Sequence, residues 1–347
     1  MKIYAIVLAL LSAALFGAAT PASKTLLQSF SPFQLAGLLY LGGIFGVLPL
    51  LIKEYSKGEL TNITTIGKKN LLRLSGSILF GGVLGPVFLL FGLNIASASS
   101  VSIWLNLEMV ATAILGYFLF KDQLEANQWL SIIGVTISGI LLSFGEGQSG
   151  ILAGLFITLA CFSWGADNHL AALVDGISPS QSTFWKSIIA GTVNLTIGLL
   201  IQPFLFSIKN IILALIVGAF SYGLSITLHI AASQQIGATR VQMIFSSSPF
   251  FGIAISSLFL KESLSYMQII SALILSISLF ILFRAKHEHQ HHHESMEHNH
   301  THRHDDKHHN HTHIGLPTST RHSHEHYHET MDHLHSHLPD IHHRHSH

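Results

Sequence analysis

The sequence predicts an all-α polytopic membrane protein with ten transmembrane helices arranged as two inverted five-helix repeats, followed by a disordered histidine-rich tail. Three observations support this class. Apolar stretches recur between residues 3 and 284, only 10% of the 347 residues are charged, and 24 of the 26 histidines follow residue 284. Because a soluble domain usually has about a quarter of its residues charged, water is not the main solvent of this chain.

Each apolar stretch has roughly 17–25 residues, enough for a helix to cross about 30 Å of hydrocarbon. The expected helices cover residues 3–23, 33–52, 72–92, 97–119, 127–145, 150–171, 181–202, 209–231, 239–260 and 266–283. The first stretch, with Lys2 before it and small residues after it, also fits a signal peptide. Nine further helices and a polar role for Lys24 favour a retained first span.

The basic residues of the short loops are unevenly distributed between the two sides. With a cytoplasmic N-terminus, ten Lys and Arg residues lie on the cytoplasmic side, whereas Lys24, Lys209 and Lys261 lie at the outer ends. The positive-inside rule therefore predicts a multi-pass protein of the cell (inner or plasma) membrane with both termini cytoplasmic. A single cysteine, Cys161, excludes a disulfide within the chain.

An internal repeat appears when the sequence is shifted by 140 residues. The segment 97–124 then aligns with 237–264, and both contain a helix, a Lys-Asp/Glu-x-Leu turn and a second helix. The predicted organisation is a first repeat at 1–145, a second repeat at 146–286 and a tail at 287–347. Since five is an odd number of crossings, the second repeat should enter the membrane upside down, as in carriers that work by alternating access.

Ionisable side chains within the expected helices are few, and each needs a reason because it costs about 2.5–3.5 kcal/mol to insert. Lys24 is the only formally charged residue between 3 and 52, and Glu108 is the only one between 74 and 120. Ser12, Phe16, Thr20 and Lys24 repeat every four residues and so form one stripe of a continuous helix.

A second stripe repeats in the same way, and the two should face each other or a cavity. Its members are Ser100, Trp104, Glu108 and Thr112. The predicted substrate cavity comprises Lys24, Thr20, Trp104, Asn106, Glu108, Lys186 and Asn194. Proton coupling through Glu108 is a further hypothesis. The alternatives are a buried ion pair that only fixes packing, and a Lys186 that extends to the membrane surface.

The second half has a polar cluster at Asp167, Asn168 and His169, near the cytoplasmic end of its helix. Asp167 and His169 should point to different sides and are not expected to hold one ion together. A polar cap at headgroup level is the other interpretation. Tyr222, Ser225 and His229 form a polar seam in which the histidine more commonly serves packing.

The tail alternates histidine with other residues, so that neighbouring imidazoles of an extended chain share a face and could bind Zn, Ni, Co or Cu. The candidate metal ligands are His298, His300, His302, His304, His309, His311, His313, His322, His324, His326 and His328. With few large apolar residues, the segment should be disordered without metal. A pH-responsive polycation or a passive metal buffer are alternative roles.

Seven segments together resemble the EamA-type transporters of the drug/metabolite transporter superfamily. They are FGAATPASK (16–24), LAGLLYLGG (35–43), LGPVFLLFGL (84–93), LNLE (105–108), WGADNHL (164–170), KSIIAGTVNL (186–195) and SSSPFFG (246–252). The end of the chain, LPDIHHRHSH (338–347), is similar to a prokaryotic branch with a histidine-rich tail. The chain departs from the family pattern at Glu108-Met109, where the second repeat has the more usual Pro249.

The resemblance implies ten helices, cytoplasmic termini, a central cavity open to one side at a time and export of small organic solutes. We therefore expect a secondary carrier that contacts the lipid bilayer and a small-molecule substrate. It should need no cofactor and bind no nucleic acid, and the sequence does not decide between a monomer and a homodimer. A divalent metal permease and a metal-responsive membrane protein are the alternatives. No phosphate-binding glycine loop, nucleophile elbow or Walker motif is present, so an enzyme is not expected.

Overall fold

In the part of the chain that the structure describes, ten helices form the membrane region. The computed structural model describes residues 2–119, 124 and 126–284, and four short backbone segments of the tail. The helices are α1 (Ile3–Leu26), α2 (Pro32–Ser56), α3 (Gly67–Ile95), α4 (Ala98–Leu119), α5 (Ala126–Gly145), α6 (Gly147–Ala172), α7 (Pro179–Ile201), α8 (Ile208–Ile236), α9 (Ala238–Leu260) and α10 (Tyr266–Arg284). A short 3-10 turn, Ile63–Thr65, precedes α3. The predicted all-α polytopic class is confirmed.

The lengths and surfaces of these helices suit a bilayer. Among the described residues, nine helices are long and apolar enough to cross a membrane, and α10 contributes the apolar stretch Tyr266–Ile281. Large apolar side chains such as Leu200 and Phe259 lie exposed on the outside of the bundle. Lipid is the solvent that makes such a surface favourable.

Two helices begin with the same capping arrangement. The Ser31 hydroxyl accepts from the Gln34 backbone N–H, while the Gln34 side chain accepts from the Ser31 N–H, and Pro32 starts α2. Ser178 and Gln181 form the same box at the start of α7. These caps satisfy N–H groups that a helix leaves free at its N-terminus, so both starts are fixed by the local sequence.

Several helices are interrupted, and the interruptions recur in the two halves. α4 consists of Ala98–Trp104 and Leu107–Leu119, and α9 contains Ala238–Phe245 and Ser248–Ile255 before a π-helical end. α3 and α8 each contain a π-helical turn, Ile78–Leu84 and Gly218–Leu224, and these turns lie 140 residues apart. α1 is interrupted at Ala18, so that one helical segment ends at Gly17 and the next covers Ala19–Leu26.

The buried core is divided among three apolar clusters. The largest surrounds Trp104, Trp164 and Tyr222 and draws on helices of both halves. A second cluster, which includes Ile132 and Leu275, joins α5 to α10 with neighbouring residues of α4 and α9. A third joins the start of α1 to α8 and α9. The polar groups described below lie within this apolar framework.

The tail forms a separate unit with two antiparallel strand pairs. β1 (Glu288–His293) pairs with β4 (Met331–Ser336), and β2 (Met296–His302) pairs with β3 (His322–His328). The sequence predicts no regular structure here before metal binds, whereas four short strands are present. The alternating pattern has the period of a strand, and isolated two-stranded ribbons are marginally stable at best.

Candidate functional site

A cavity lies between the two halves of the membrane bundle. Its walls come from α1, α2 and α4 of the first half and from α6, α7, α8 and α9 of the second. The space open to centres of water molecules is about 50 Å³, several times the roughly 10–15 Å³ that one water needs. Along α8 the wall runs from Tyr222 to Ser233, so the cavity extends towards the C-terminal end of that helix.

A buried ion pair forms one wall of this cavity. The Lys186 ammonium on α7 contacts both carboxylate oxygens of Asp167 on α6, at 2.7 and 2.8 Å. The Ser77 hydroxyl on α3 donates to the same carboxylate. Lys186 is 1% exposed and Asp167 is 8% exposed, so the two charges depend on each other for solvation.

Glycines of α3 make room for this pair. A Cβ atom at Gly81 would lie 1.9 Å from an Asp167 carboxylate oxygen, and one at Gly85 would lie 2.5 Å from the Trp164 ring nitrogen. The Gly81 carbonyl accepts from the Tyr40 hydroxyl at 2.6 Å and from the Trp164 ring N–H at 3.1 Å. The π-helical turn of α3 therefore serves as the backbone support of the site.

A second group of polar residues surrounds Glu108, which lies in the first turn of the second segment of α4. The Asn168 amide nitrogen lies within hydrogen-bond distance of three acceptors. They are the Glu108 carboxylate at 2.9 Å, the Thr112 hydroxyl at 3.1 Å and the Gln242 side-chain oxygen at 3.1 Å. The His169 Nε2 lies 2.9 Å from the Thr112 carbonyl oxygen. Adjacent residues of α6 therefore contact different partners: Asp167 binds Lys186, and Asn168 binds Glu108.

The α8 wall carries hydrogen-bonding groups that have no partner. Within the described part of the chain, the Tyr222 hydroxyl, the His229 Nε2 and the Ser233 hydroxyl are buried and make no hydrogen bond. The spacing of seven and four residues places them on one face of α8. Ser225, between them, is instead bonded to Ser12 of α1, with each hydroxyl donating to the other's carbonyl at 2.8 and 2.9 Å.

Aromatic rings surround the same space. Phe16 contacts the rings of Trp164, Tyr222 and Phe245 at centroid distances of 5.8, 5.8 and 5.4 Å. Tyr40 lies edge-on to Tyr222 at 5.1 Å. We call these five residues, Phe16, Tyr40, Trp164, Tyr222 and Phe245, the ring cluster. All five line the cavity, so a ligand there would meet aromatic surface beside ionised groups.

The structure brings two of the predicted cavity residues, Glu108 and Lys186, to this site. Lys24 is not among the lining residues, because its ammonium donates to the carbonyls of Leu93 and Ala96, both at 2.7 Å, at the end of α3. Thr20 is buried in the second segment of α1 and is also absent from the wall. The expected meeting of Lys24 and Glu108 across one cavity therefore does not occur.

The other predicted residues lie in the surrounding packing. Trp104 donates its ring N–H to the Gly139 carbonyl at 3.1 Å, and Asn194 donates to the Gly82 carbonyl at 3.0 Å. Asn106 lies at the interruption of α4, where both side-chain polar atoms are buried without a partner among the described residues. None of the three is in the cavity wall.

Several lining residues were outside the predicted cavity set. The sequence predicts Asp167 and Asn168 near the cytoplasmic end of their helix, with a polar cap at headgroup level as the other interpretation, and Tyr40, Trp164 and Phe245 have no polar pattern that singles them out. The polar seam of Tyr222, Ser225 and His229 was the available signal for the α8 wall. Aromatic residues of membrane helices usually pack against lipid or neighbouring helices, so sequence spacing alone does not place them at a site.

Polar contacts also join the start of α4 to neighbouring parts of the bundle. Glu262 accepts from the backbone N–H groups of Ala98 and Ser99, both at 3.0 Å. Gln268 of α10 donates to the Ser100 hydroxyl at 2.7 Å, and Ser100 also donates to Glu146. We call Ser99, Ser100, Glu146, Glu262 and Gln268 the α4 latch.

The family follows from two matches along the chain. The model of the EamA-like transporter family matches residues 3–144 and again residues 151–284. The chain belongs to the EamA-like transporter family. The resemblance to EamA-type transporters is thus confirmed, and the two matches divide this EamA-like protein at the end of α5.

Two curated relatives of this EamA-like protein are themselves described only as uncharacterised transporters. One, from Methanothermobacter thermautotrophicus, is 27% identical over 290 residues, which cover 77% of this chain and 82% of the relative. The other, from Synechocystis sp., is 25% identical over 295 residues, which cover 77% and 86%. The class of membrane transporter is therefore supported.

A solved structure has the same fold. A crystal structure of a protein aligns with a TM-score of 0.61 over 80% of this chain and 95% of that chain, at 13% sequence identity. At this identity, the likeness concerns the fold and says nothing of substrate.

Proposed function

We propose that this protein is a secondary carrier of the cell membrane that exports a small organic solute by alternating access through the cavity between its two halves. The observation that carries the proposal is the convergence of Glu108, Asp167 and Lys186 on one cavity inside an apolar bundle. Because ionisable groups are costly in a membrane, a polar cavity of this kind is a functional site by default. Outward transport is the direction that the family resemblance implies.

The arrangement of the helices supports alternating access. Five crossings per repeat would give the halves opposite orientations, and the cavity lies between them. α4 and α9 are both interrupted, as is common for helices that form carrier sites. Glu108 lies in the first turn of Leu107–Leu119, where the positive end of the helix dipole favours a carboxylate.

The two ends of the bundle differ in the way that a carrier requires. The cavity extends towards the C-terminal ends of α6 and α8, at Ala171 and Ser233, whereas the α4 latch closes the other end. Transport would require the latch to open while the end near the C-termini of α6 and α8 closes. The contacts of Asn168 with Glu108 and Gln242 would hold that end closed. The present structure would then be one of two alternating states.

The carrier proposal is tested by export from cells. Cells that produce the full-length protein, a Lys186→Met variant or a Glu59→Gln variant are compared by untargeted analysis of solutes in the medium. We expect at least one organic solute to accumulate outside with the native chain and with Glu59→Gln, whose carboxylate is exposed, but not with Lys186→Met. Identical media at equal protein abundance in the membrane would refute the proposal.

Proton coupling is proposed to pass through Glu108. Its carboxylate is buried in the cavity wall and contacts the neutral Asn168 amide, so either protonation state can be accommodated by a shift of that amide. Flux of the exported solute into proteoliposomes should then depend on an imposed pH gradient in the native protein and lose that dependence in Glu108→Gln. An unchanged pH dependence in the variant would exclude this role.

The tail is proposed to bind divalent metal ions on the cytoplasmic side, and a metal permease is the second candidate function. The pairing of His298, His300 and His302 with His326, His324 and His322 in β2 and β3 favours metal binding by the tail. His304, His309, His311 and His313 lie outside the described residues. In the described membrane part of the chain, no group of three His, Cys, Asp or Glu residues could hold a metal ion, which favours an organic solute for the cavity.

Deletion of residues 287–347 separates these functions. Equilibrium dialysis with Ni²⁺ or Zn²⁺ should show several ions bound per full-length chain and none per truncated chain, while export of the organic solute persists. Cellular metal content and metal resistance are measured in parallel. If the truncation changes metal accumulation across the membrane and leaves every organic flux at background, the permease is the better assignment.

A further inference from the structure

The ionisable groups of the cavity are unequally paired. The Lys186 ammonium is bound to both oxygens of Asp167, so that pair is neutral as a unit. Glu108 has no such partner, since none of the described residues brings a cationic group within ion-pair distance of its carboxylate. The cavity wall therefore carries one excess negative charge when Glu108 is ionised.

This imbalance selects against solutes with an anionic group. The ammonium of Lys186 already has two carboxylate contacts, and a free carboxylate or phosphate of a ligand would have to displace Asp167. That displacement would leave a buried carboxylate unpaired, which is strongly unfavourable. A ligand with a positive charge meets no such penalty, because it supplies the missing partner of Glu108.

The aromatic surface points in the same direction. Five rings of the ring cluster line the cavity that contains Glu108. A cation over the face of Trp, Tyr or Phe is attracted by the negative face of the ring, and the attraction is stronger when the cation is desolvated. An ammonium group also donates hydrogen bonds, and the Tyr222 oxygen, the Ser233 oxygen and, in its Nδ1–H tautomer, the His229 Nε2 can accept them, since all three atoms are buried without a partner in the described part of the chain.

From these observations we infer that the cavity recognises an organic cation, an amine or ammonium compound, with the Glu108 carboxylate as its counter-charge and the ring cluster as its apolar surroundings. This inference rests on the carrier proposal and names the class of solute. The α8 acceptors suit the N–H groups of a primary or secondary amine, and the rings suit its carbon skeleton. The buried Lys186–Asp167 pair keeps anions and zwitterions out.

Three probes of one skeleton test the charge preference. 2-Phenylethylamine, phenylalanine and 3-phenylpropionate share a phenyl ring and differ in carrying a cation, a zwitterion or an anion. Binding to the purified full-length protein is followed by its thermal unfolding. We expect the amine to bind at least about tenfold more tightly than the other two, a difference of about 1.4 kcal/mol.

Variants separate charge from folding. Glu108→Gln should weaken amine binding at least tenfold, Glu108→Asp should keep part of the preference, and Glu59→Gln, at an exposed carboxylate, should bind like the native chain. Preference for the zwitterion or the anion, equal amine binding by Glu108→Gln, or binding of none of the three probes would overturn the inference. Amine binding without export of any solute would instead contradict the carrier proposal and still support the binding site.

Discussion

Ser131 of α5 donates its hydroxyl to the backbone carbonyl of Ser278 on α10 at 2.8 Å. Ser138 makes the corresponding bond to the Ser271 carbonyl, also at 2.8 Å. Ser271 and Ser278 lie 140 residues after Ser131 and Ser138, so each serine of one helix contacts the counterpart of the other. Reciprocal contacts of this kind arise between antiparallel equivalent helices, and they support the proposal of oppositely oriented repeats.

We predict that Ser131→Ala and Ser138→Ala destabilise the protein by similar amounts. Hydrogen bonds between membrane helices average about 0.6 kcal/mol, and the two bonds have the same length. Thermal unfolding in mild detergent measures the change. Ser276→Ala is the matched control, since the Ser276 hydroxyl bonds only within its own helix, to the Ala272 carbonyl. A loss confined to one of the two variants would contradict the reciprocal arrangement.

The Lys186–Asp167 pair leads to a second prediction. Lys186→Met alone should lower the free energy of unfolding by roughly 3–5 kcal/mol, because it leaves Asp167 buried without its cation. The double variant Lys186→Met/Asp167→Asn should recover most of that loss yet remain unable to transport. Unfolding in detergent and solute export are measured on the same variants. If the double variant is no more stable than Lys186→Met, the unpaired charge of Asp167 is not the cause of the loss of stability.

The helices could be predicted from the sequence, and Glu108 and Lys186 line the cavity, whereas Lys24, Thr20, Trp104, Asn106 and Asn194 lie outside its wall. Both stripes assumed continuous helices. α1 is interrupted at Ala18, so Ser12 and Phe16 line the cavity while Lys24 lies against the end of α3. A break at residues 105 and 106 similarly separates Trp104 from Glu108.

The role of Asp167 was hidden for a different reason. Its partner Lys186 lies in the next helix, and its closeness to α3 depends on the absence of a side chain at Gly81. Such a pair depends on three helices at once, and helical periodicity describes only one helix at a time. Glycine in a membrane helix is common enough that Gly81 by itself predicts packing and no more.

Gly81 gives a third prediction. Gly81→Ala should destabilise the protein by roughly 1–3 kcal/mol and abolish export, because the new methyl group must displace the Asp167 carboxylate from its position 1.9 Å away. Gly76→Ala, on the same helix, is the control, since its methyl group would meet only the mobile end of Leu170. Export and thermal unfolding of both variants are compared. Full activity of Gly81→Ala would mean that Asp167 tolerates another position.

The α4 latch gives the last prediction, which concerns the end of the bundle opposite the cavity opening. In Glu262→Gln the side chain keeps its shape but loses its charge, and one of its two acceptor oxygens becomes an NH₂ group. It can then accept from only one of the backbone N–H groups of Ala98 and Ser99, and loss of such a cap costs about 1 kcal/mol. Amide hydrogen exchange across residues 97–104 should become faster, and exchange in α7 should stay unchanged. Glu59→Gln carries the same substitution at a distant exposed carboxylate and should leave both rates unaltered.

If the latch also limits opening of this end, the Glu262→Gln variant should export solute faster at saturating concentration. Amine binding at the cavity should weaken in the same variant, because the state that has the cavity in its present form is less populated. Unaltered exchange at 97–104 would show that Glu262 does not hold this end of α4 closed.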